Sequence, residues 1–449
     1  MNLLLSFQQS LQAFSCEMTS PALRNFSQII AGWIFAAHHT IAGALLSSGV
    51  AGTRHHSAFY RIFSKDVWDC DQVGWNLAES LIQRHLLAYG SNRPIDILID
   101  DTNTKKSGRK IHGTAWHYDS TAKTAGKKKS TWANNWVVLA ILTEPFLASD
   151  KRVAMTVQTR MYVPPKSVDK YKLSYRNKLQ LSQEMVRALC EKYPELKFRL
   201  LTDAAYGVGE MLKDLPPNCV VVSRLRCNAR LYQPWKPASE TGKSGPGRPR
   251  KHGERLPKAS EIFEKRSKTC RRLTLYGKRR KLEWVTFRAC LYQSPGCEMR
   301  VVVVRAVDEE SGKVEPTVTF YSTNPKMGAA EVIELYCKRW SIEETFQEAK
   351  EHLGLEEPQC RSQKAVERMV PSILYLHAIL WQNAGEEGLE RQAAARKAPW
   401  NRSTVNLSLG DIISILREKH LEEIIKSSGV EDTTLQKITE PLASLIRAA

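Results

Sequence analysis

The residues best suited to chemistry lie in one stretch, Leu335–Leu355, which reads LYCKRWSIEETFQEAKEHLGL. Its good helix formers, its lack of proline and the glycine near its end predict one continuous helix. At helical spacing, Tyr336, Arg339, Glu343 and Lys350 share one face. Arginine and lysine contact phosphates and a tyrosine hydroxyl can donate to one, so this face presents a polar site suited to a phosphate group.

An apolar stripe adjoins the polar face and predicts the side of the helix that packs on a core. The stripe consists of Ile342, Phe346, Ala349 and Leu353, and Gly354 marks the expected end of the helix. An ordinary amphipathic helix with one Arg–Glu pair would show the same pattern. The helix taken alone leaves both interpretations open.

The net charge indicates a polyanionic partner. The chain has 449 residues, a formal net charge of +19 and a pI near 9.5. This excess of basic residues most simply indicates nucleic acid, and a membrane surface is the weaker option. Apolar residues at 42% and charged residues at 25% are ordinary for a globular protein that is long enough for two or three domains.

Cysteine usage and the N-terminal sequence favour a cytoplasmic protein. The ten cysteines are scattered without a C-x2-C pair, which argues against a zinc ribbon or a disulfide framework and favours free thiols. The first residues lack the order of a signal peptide. Residues 29–52 are apolar, but His38, His39 and small polar residues interrupt them, so buried helices are favoured over a membrane span.

Two predicted strands end in acidic residues. The strand at 95–101 ends in Asp100 and Asp101, and the strand at 197–203 ends in Asp203. Acids at the carboxyl ends of buried strands lie where α/β sheets place their active sites. For each acid alone, the alternative is a helix cap or a structural ion pair.

The spacing Tyr336-x2-Arg339-x3-Glu343-x6-Lys350 and its flanking residues resemble the Y-R-E-K signature of bacterial DDE transposases, in the insertion-sequence-four-like superfamily. In that family the glutamate is the third catalytic carboxylate. The resemblance therefore implies that Tyr336, Arg339 and Lys350 grip the DNA near the scissile bond. It also directs the search for two upstream aspartates.

The resemblance implies that Asp101, Asp203 and Glu343 are the catalytic residues and metal ligands, with Asp100 as a competitor for the first role. Asp101 is preferred because it directly precedes Thr102, as in the Asp-Thr step of the family. Such a triad implies two Mg²⁺ ions roughly 3.5–4 Å apart, for which Mn²⁺ can substitute. Carboxylate oxygens are the hard ligands that Mg²⁺ prefers.

The fold implied by the resemblance is an α/β protein with a ribonuclease-H-like core. We expect a mostly β insertion subdomain to interrupt this core, and helical N-terminal and C-terminal regions to flank it. Composition along the chain places the boundaries of these parts. The predicted parts are the N-terminal region 1–92, the first core half 93–215, the insertion 216–322, the second core half 323–385 and the C-terminal region 386–449.

The implied function is cut-and-paste DNA transposition. The enzyme would cleave double-stranded DNA at transposon ends and transfer the strands into target DNA, in the bacterial cytoplasm at the nucleoid and without a membrane partner. Because two ends must be paired, a homodimer is expected. The alternatives are a catalytically silent, transposase-derived DNA-binding protein and a structure-specific nuclease.

Two basic segments predict further DNA contacts. Residues 1–92 contain two helical stretches, a glycine turn and a basic, aromatic segment at 54–61, which suits a small DNA-binding module, with a helical accessory domain as the alternative. In the basic loop 239–258, the residues Arg248, Arg250 and Lys251 follow an AT-hook-like Pro-Gly-Arg-Pro pattern. Generic phosphate contact is favoured there over minor-groove recognition.

Three aromatic residues have less specific roles. Trp284, in the insertion, could hold an unstacked base, as an insertion-domain aromatic does in family members with a hairpin intermediate. A core tryptophan is the favoured interpretation. His112 and His117 lie five residues apart without a matching cysteine or acid, so we predict structural or DNA-facing roles and no zinc site.

Overall fold

The computed structural model describes residues 11–119, 129–144, 151–234, 252–309, 311–386 and 407–427. Its first part is helical, as predicted. The helices that precede the sheet are α1 Gln12–Ser15, α2 Ser20–Phe35, α3 Ile41–Ser47, α4 Ser57–Ser64 and α5 Cys70–Tyr89. Across these described ranges, every helix is too short or too polar to cross a membrane.

Eleven strands of the described residues form one mixed sheet. The strands are β1 Ile95–Lys105, β2 Ala115–Tyr118, β3 Ser130–Thr143, β4 Val153–Tyr162, β5 Phe198–Thr202, β6 Cys219–Leu225, β7 Leu231–Tyr232, β8 Thr269–Leu275, β9 Lys278–Leu291, β10 Ser294–Val307 and β11 Val318–Ser322. The main order is β2-β3-β1-β5-β6-β11-β10-β9-β7, with β4 paired to β3 and β8 paired to β9. The predicted α/β class is confirmed.

The centre of the sheet carries the acidic residues of β1 and the strand β5 that precedes Asp203. Strand β1 pairs antiparallel with β3, β3 pairs antiparallel with β4, and β5 lies parallel to both β1 and β6. Ile97, Leu98 and Ile99 are fully buried, because helices cover both faces of this part of the sheet. Both predicted strands are therefore observed as neighbours in the core, but the first does not end in its acids: β1 continues to Lys105, so Asp100 and Asp101 lie in its middle, paired with β3.

Helices after β4 cover the sheet and complete the core. The helices in this part are α6 Pro165–Tyr171, α7 Lys178–Lys192, α8 Gly209–Lys213, α9 Ala259–Lys265, α10 Ala329–Lys338, α11 Trp340–His352, α12 Gln363–Glu386 and α13 Leu409–Ser427. Helix α7 packs on β3 and β4, whereas α11 packs on β1 and β4. Helix α12 packs on β4 and also on α4 and α5, so it joins the N-terminal helices to the sheet.

The region 216–322 is rich in strands, as predicted, but its strands continue the same sheet. Strand β6 pairs with β5, β11 pairs with β6, and β10 follows β11. The boundaries of a separate insertion remain a prediction. Arg248, Arg250 and Lys251 lie outside the described residues.

The prediction of one continuous helix at Leu335–Leu355 is wrong in detail. Helix α10 ends at Lys338 and α11 begins at Trp340, with Arg339 at the junction in a helical conformation, φ −55° and ψ −30°. Arg339 therefore joins the two helices without leaving the helical region of the backbone. The predicted stop is close, because α11 ends at His352 and Gly354 follows with φ +58°.

Gly354 also lies against the N-terminal helices. A Cβ at this position would collide with the ring of His39, whose backbone N–H donates to Glu357 Oε2 at 2.6 Å. Nearby, Trp33 Nε1 donates to the carbonyl oxygen of Leu353 at 3.0 Å. The end of α11 is thus fixed to the N-terminal region by close backbone packing.

Gly354→Ala should lower the free energy of unfolding. The left-handed backbone alone costs about 1–2 kcal/mol for a residue with a Cβ, and the collision with His39 adds to this. Gly277→Ala is the matched control, because Gly277 has φ +71° and open space around its Cβ position. Denaturant titration of both variants measures the difference, and equal losses would mean that the His39 contact contributes nothing.

Candidate active site

Asp100 faces the helix that carries Glu343. Asp100 and Asp101 are consecutive residues in the middle of β1, so their side chains point to opposite faces of the sheet. Arg339 Nη1 donates to Asp100 Oδ2 at 3.0 Å, and Arg339 Nη2 donates to Glu343 Oε1 at 2.5 Å. One guanidinium therefore joins Asp100 to Glu343.

Asp203 follows β5 at the level of Asp100. Ile99 and Thr202 are register partners in the parallel pair of β1 and β5. The residues that follow them, Asp100 and Asp203, therefore point to the same side of the sheet. The Oδ1 atom of Asp203 accepts from the backbone N–H of Ala205 at 2.8 Å. Asp203 thus also stabilises the turn that follows it. A capping role of this kind was the alternative to a catalytic role for this residue.

Asp101 lies on the other face in a network of its own. Its Oδ2 accepts from Lys178 Nζ at 2.6 Å and from Asn135 Nδ2 at 2.8 Å, and its Oδ1 accepts from the Tyr206 hydroxyl at 2.7 Å. Burial acts to raise the pKa of Asp101, but Lys178 and these hydrogen bonds outweigh burial and lower it. Asp101 is therefore an ionised and fully engaged carboxylate.

The environment of Asp100 differs. Burial raises the pKa of Asp100 to about 7, the Arg339 guanidinium opposes this shift, and the charges of Asp203 and Asp101 add to it. A carboxylate surrounded by other carboxylates in a buried site favours a proton or a cation. A divalent cation is one such partner, and its carboxylate ligands would be ionised.

The residues of the Y-R-E-K pattern lie on α10, on α11 and at the junction between them. The guanidinium of Arg339 lies 5.7 Å from the ring centroid of Tyr336, and Lys350 Nζ lies 3.8 Å from Glu356 Oε1. The apolar stripe of α11 is buried, which confirms the predicted packing side. Its members are Ile342, Phe346, Ala349 and Leu353.

Hard oxygen donors at this site suit a divalent metal, although Arg339 takes the position between two of them. Within the described part of the chain, no three His, Cys, Asp or Glu side chains are already arranged to hold a metal ion. Asp100, Asp203 and Glu343 lie on one side, and carboxylates are the ligands of Mg²⁺. A metal shared by Asp100 and Glu343 would require the guanidinium to move aside.

Other predicted residues take structural positions. Trp284, on β9, is 5% exposed, which is the core position favoured from the sequence. His117 is buried and burial lowers its pKa to about 4, and burial also lowers the pKa of His112. All ten cysteines are free thiols, as predicted.

Three residues near the acids were missed by sequence reasoning: Lys178, Asn135 and Tyr206. Lys178 is the first residue of α7, where Asn177 and Gln180 form a capping box that starts the helix there. That capping box is a readable signal for the start of α7. The contact with Asp101, on β1, depends on the sheet and leaves no signal in the sequence.

The central strands of this mixed α/β sheet carry the acids, Asp100 and Asp101 within β1 and Asp203 directly after β5. The model of a family described as DDE superfamily endonuclease matches residues 14–290, more than half of the 449-residue chain. The chain therefore belongs to the DDE superfamily endonuclease family. The match includes Asp100, Asp101 and Asp203 and ends before Glu343. A comparison with curated proteins gave no match.

Proposed function

We propose that this protein is a DNA transposase that cleaves double-stranded DNA at the ends of a mobile element and joins those ends to target DNA. The observation that carries the proposal is the Arg339 guanidinium, which binds both Asp100 and Glu343 beside Asp203. Membership of the DDE superfamily supports an endonuclease or transposase activity on DNA. The net charge of +19 favours the same polyanionic substrate.

The proposed acid triad is Asp100, Asp203 and Glu343. Strand alternation supports Asp100 over Asp101 as its first member, because Asp101 lies on the opposite face with Lys178. Asp101 was preferred from the sequence because it directly precedes Thr102. That adjacency carries no information about the face of the sheet to which the side chain points. Asp101 remains the competing candidate, and the two make different predictions.

The strand order supports a ribonuclease-H-like core. Around β1, the order β4-β3-β1-β5-β6 combines an antiparallel half with a parallel half. This order puts the end of β5 beside Ile99, in the middle of β1, and α11 brings Glu343 to Asp100 through Arg339. The Y-R-E-K subfamily is proposed on the spacing of these residues, since the family match ends at 290.

The residues of the site divide into metal ligands and phosphate contacts. Asp100, Asp203 and Glu343 would hold divalent ions, with Mg²⁺ proposed and Mn²⁺ as its substitute. Bound metal would activate the attacking oxygen and neutralise charge on the leaving oxygen during in-line displacement. Arg339 and Lys350 supply cationic donors for the phosphates on either side.

The reaction proposed has two steps. Water attacks the phosphate at the element's end, the phosphodiester bond breaks, and a 3′-OH is released. That hydroxyl then attacks a second phosphodiester and displaces its 3′-oxygen. Because two ends must be joined in concert, a homodimer is the proposed assembly.

The test is a cleavage-and-joining assay on DNA that carries the element's own ends, read from the inverted repeats that flank the coding sequence. Wild-type protein with Mg²⁺ or Mn²⁺ should yield nicked and joined products. Asp203→Asn should bind the ends with nearly unchanged affinity and form neither product. Cleavage without joining would replace the proposal with a nuclease, and binding without cleavage would replace it with a silent DNA-binding protein.

A further inference from the structure

Strand β6 brings an arginine to the side of the sheet that carries the proposed acids. Thr202 of β5 and Ser223 of β6 are register partners in their parallel pair. The residue that follows Ser223 is Arg224, so its side chain points to the same side of the sheet as Asp203 and Asp100. Neighbouring strands lie about 4.8 Å apart, which puts Arg224 one strand away from Asp203.

Helix α10 covers this side of the sheet next to Arg224. The helix packs on β5, β6 and β11. Phe320 of β11 is the register partner of Arg224, and its ring centroid lies 4.5 Å from that of Tyr336 on α10. Arg339, which follows α10, donates to Asp100. Arg224 therefore lies beside the part of the Y-R-E-K pattern that approaches the acids.

The charges around the Tyr336 hydroxyl agree with this placement. Burial raises the pKa of Tyr336, the charges of Arg339 and Arg224 oppose that rise, and the charge of Asp203 adds to it. Charges separated by more than about 8–10 Å are largely screened by salt. Arg224 and Asp203 thus both lie close to the hydroxyl of Tyr336.

The Arg224 guanidinium is open to an external anion. Arg224 is exposed, and among the residues that the structure describes it has neither an ion pair nor a side-chain hydrogen bond. By contrast, Arg339 is held by two carboxylates, and Lys350 lies near Glu356. Asp203, one strand away, accepts from the backbone of its own turn.

A phosphodiester is the anion that suits this position. The planar guanidinium can donate two parallel N–H bonds to two oxygens of one phosphate. A phosphate that approaches Asp100 and Asp203 is repelled by their charges, and a cation one strand away offsets part of this repulsion. Arg224 can do so without first leaving another partner, whereas Arg339 would have to release its carboxylates.

We propose that Arg224 binds the phosphate at the cleaved bond and places it against Asp100 and Asp203. The inference rests on the proposed function for the identity of the ligand, DNA. It adds to the Y-R-E-K pattern a cation from β6 that the spacing of that pattern does not include. Because its guanidinium is open before DNA arrives, Arg224 makes the first contact with this phosphate.

The test measures binding of the element's ends in EDTA at a series of salt concentrations, for wild type and Arg224→Gln. Loss of the guanidinium should weaken binding about tenfold. It should also reduce the slope of log affinity against log salt concentration by about 0.9, the value for one lost phosphate contact. Arg224→Lys keeps the charge, so it should keep the slope of wild type and lose less affinity than Arg224→Gln.

Arg187→Gln is the matched control. Arg187 is exposed on α7, without an ion pair among the described residues. The first residue of α7, Lys178, contacts Asp101, so this helix lies on the side of the sheet opposite Arg224. Arg187→Gln should bind DNA with the affinity and the salt dependence of wild type. An equal loss in both glutamine variants would reduce the effect to net charge and overturn the proposal.

A modified DNA localises the contact. Replacing the phosphate at the cleaved bond by an uncharged methylphosphonate should weaken binding by wild type, and Arg224→Gln should then cause little further loss. On ordinary DNA at saturating concentration with Mg²⁺, Arg224→Gln should slow cleavage about a hundredfold, because the contact strengthens as charge develops on the phosphate. If Arg224→Gln lost as much affinity on the methylphosphonate DNA as on ordinary DNA, Arg224 would contact a different phosphate and the proposal would be wrong.

The two proposals fail separately, because binding is measured without metal. If wild type binds the ends through Arg224 but never cuts DNA with Mg²⁺ or Mn²⁺, the Arg224 contact is supported and the transposase proposal is wrong. If wild type cuts and joins DNA while Arg224→Gln binds and cuts normally, only the Arg224 contact is wrong. Absence of any DNA binding by wild type overturns both.

Discussion

Asp100→Asn should reduce metal-dependent DNA cleavage by about a thousandfold or more, equivalent to about 4 kcal/mol of lost transition-state stabilisation. The reason is geometric, because Asp100 shares the Arg339 guanidinium with Glu343 and lies level with Asp203. An amide keeps the shape of the side chain and removes the charge that a divalent cation needs. Single-turnover cleavage with Mg²⁺ and with Mn²⁺ measures the loss.

Asp101→Asn is the matched control, one residue away on the same strand. Its carboxylate contacts Lys178, Asn135 and Tyr206. The substitution should therefore reduce cleavage only by displacing these neighbours. The expected loss of the cleavage rate is about 10- to 100-fold, as for residues that hydrogen-bond to metal ligands. Mn²⁺ titration should show weakened binding for Asp100→Asn and a smaller effect for Asp101→Asn.

The reverse order of effects would contradict the assignment. If Asp101→Asn abolished cleavage and metal binding while Asp100→Asn left both within tenfold of wild type, Asp101 would be the first ligand. Lys178 and Tyr206 would then have to release its carboxylate when substrate and metal bind. A loss of folding by either variant would be visible in circular dichroism, and Glu343→Gln supplies an independent test of the same face.

The choice between these two aspartates shows what spacing can and cannot predict. The run of apolar residues before Asp100 and Asp101 is enough to predict a buried strand, but not that β1 continues past the acids to Lys105. Which acid faces Glu343 depends on which face α11 covers. That information comes from the packing of distant elements and is absent from local sequence.

Helix prediction shows the same division. The apolar stripe and Gly354 correctly predicted the buried side of α11 and placed its end within two residues of His352. The interruption at Arg339 was not predicted, because no proline or glycine marks it. Arg339 contacts Asp100 and Glu343 from this junction, so the irregularity lies at the candidate site.

The acids on the two central strands were found by sequence because apolar strands and carboxylates leave local patterns. Lys178, Asn135 and Tyr206 come from three other elements and meet Asp101 only through the folded sheet. The continuous sheet through 216–322 was missed for a similar reason. Strand pairing between β6 and β11 joins residues about a hundred positions apart.

Arg368→Met should lower the free energy of unfolding by several kcal/mol, because it removes the arginine donor of the Asp66 and Trp68 carbonyl oxygens and each buried carbonyl left without a donor costs about 1–3 kcal/mol. Arg368, on α12, is 6% exposed. Its guanidinium donates to the carbonyl oxygens of Ile62 at 3.1 Å and Asp66 at 2.8 Å, and also to that of Trp68. These bonds fix the loop after α4 to the helix that packs on β4.

Lys364→Met is the matched control, one turn earlier on α12. Lys364 is exposed and donates to a single carbonyl oxygen, that of Lys65, at 3.4 Å. Its loss should change stability by less than about 0.5 kcal/mol, as for most surface substitutions. Urea titration of both variants gives the comparison. If Arg368→Met were as stable as Lys364→Met, the buried guanidinium would not be what holds the N-terminal helices to the sheet. Other contacts would then have to fix these helices beside Gly354 and the candidate site.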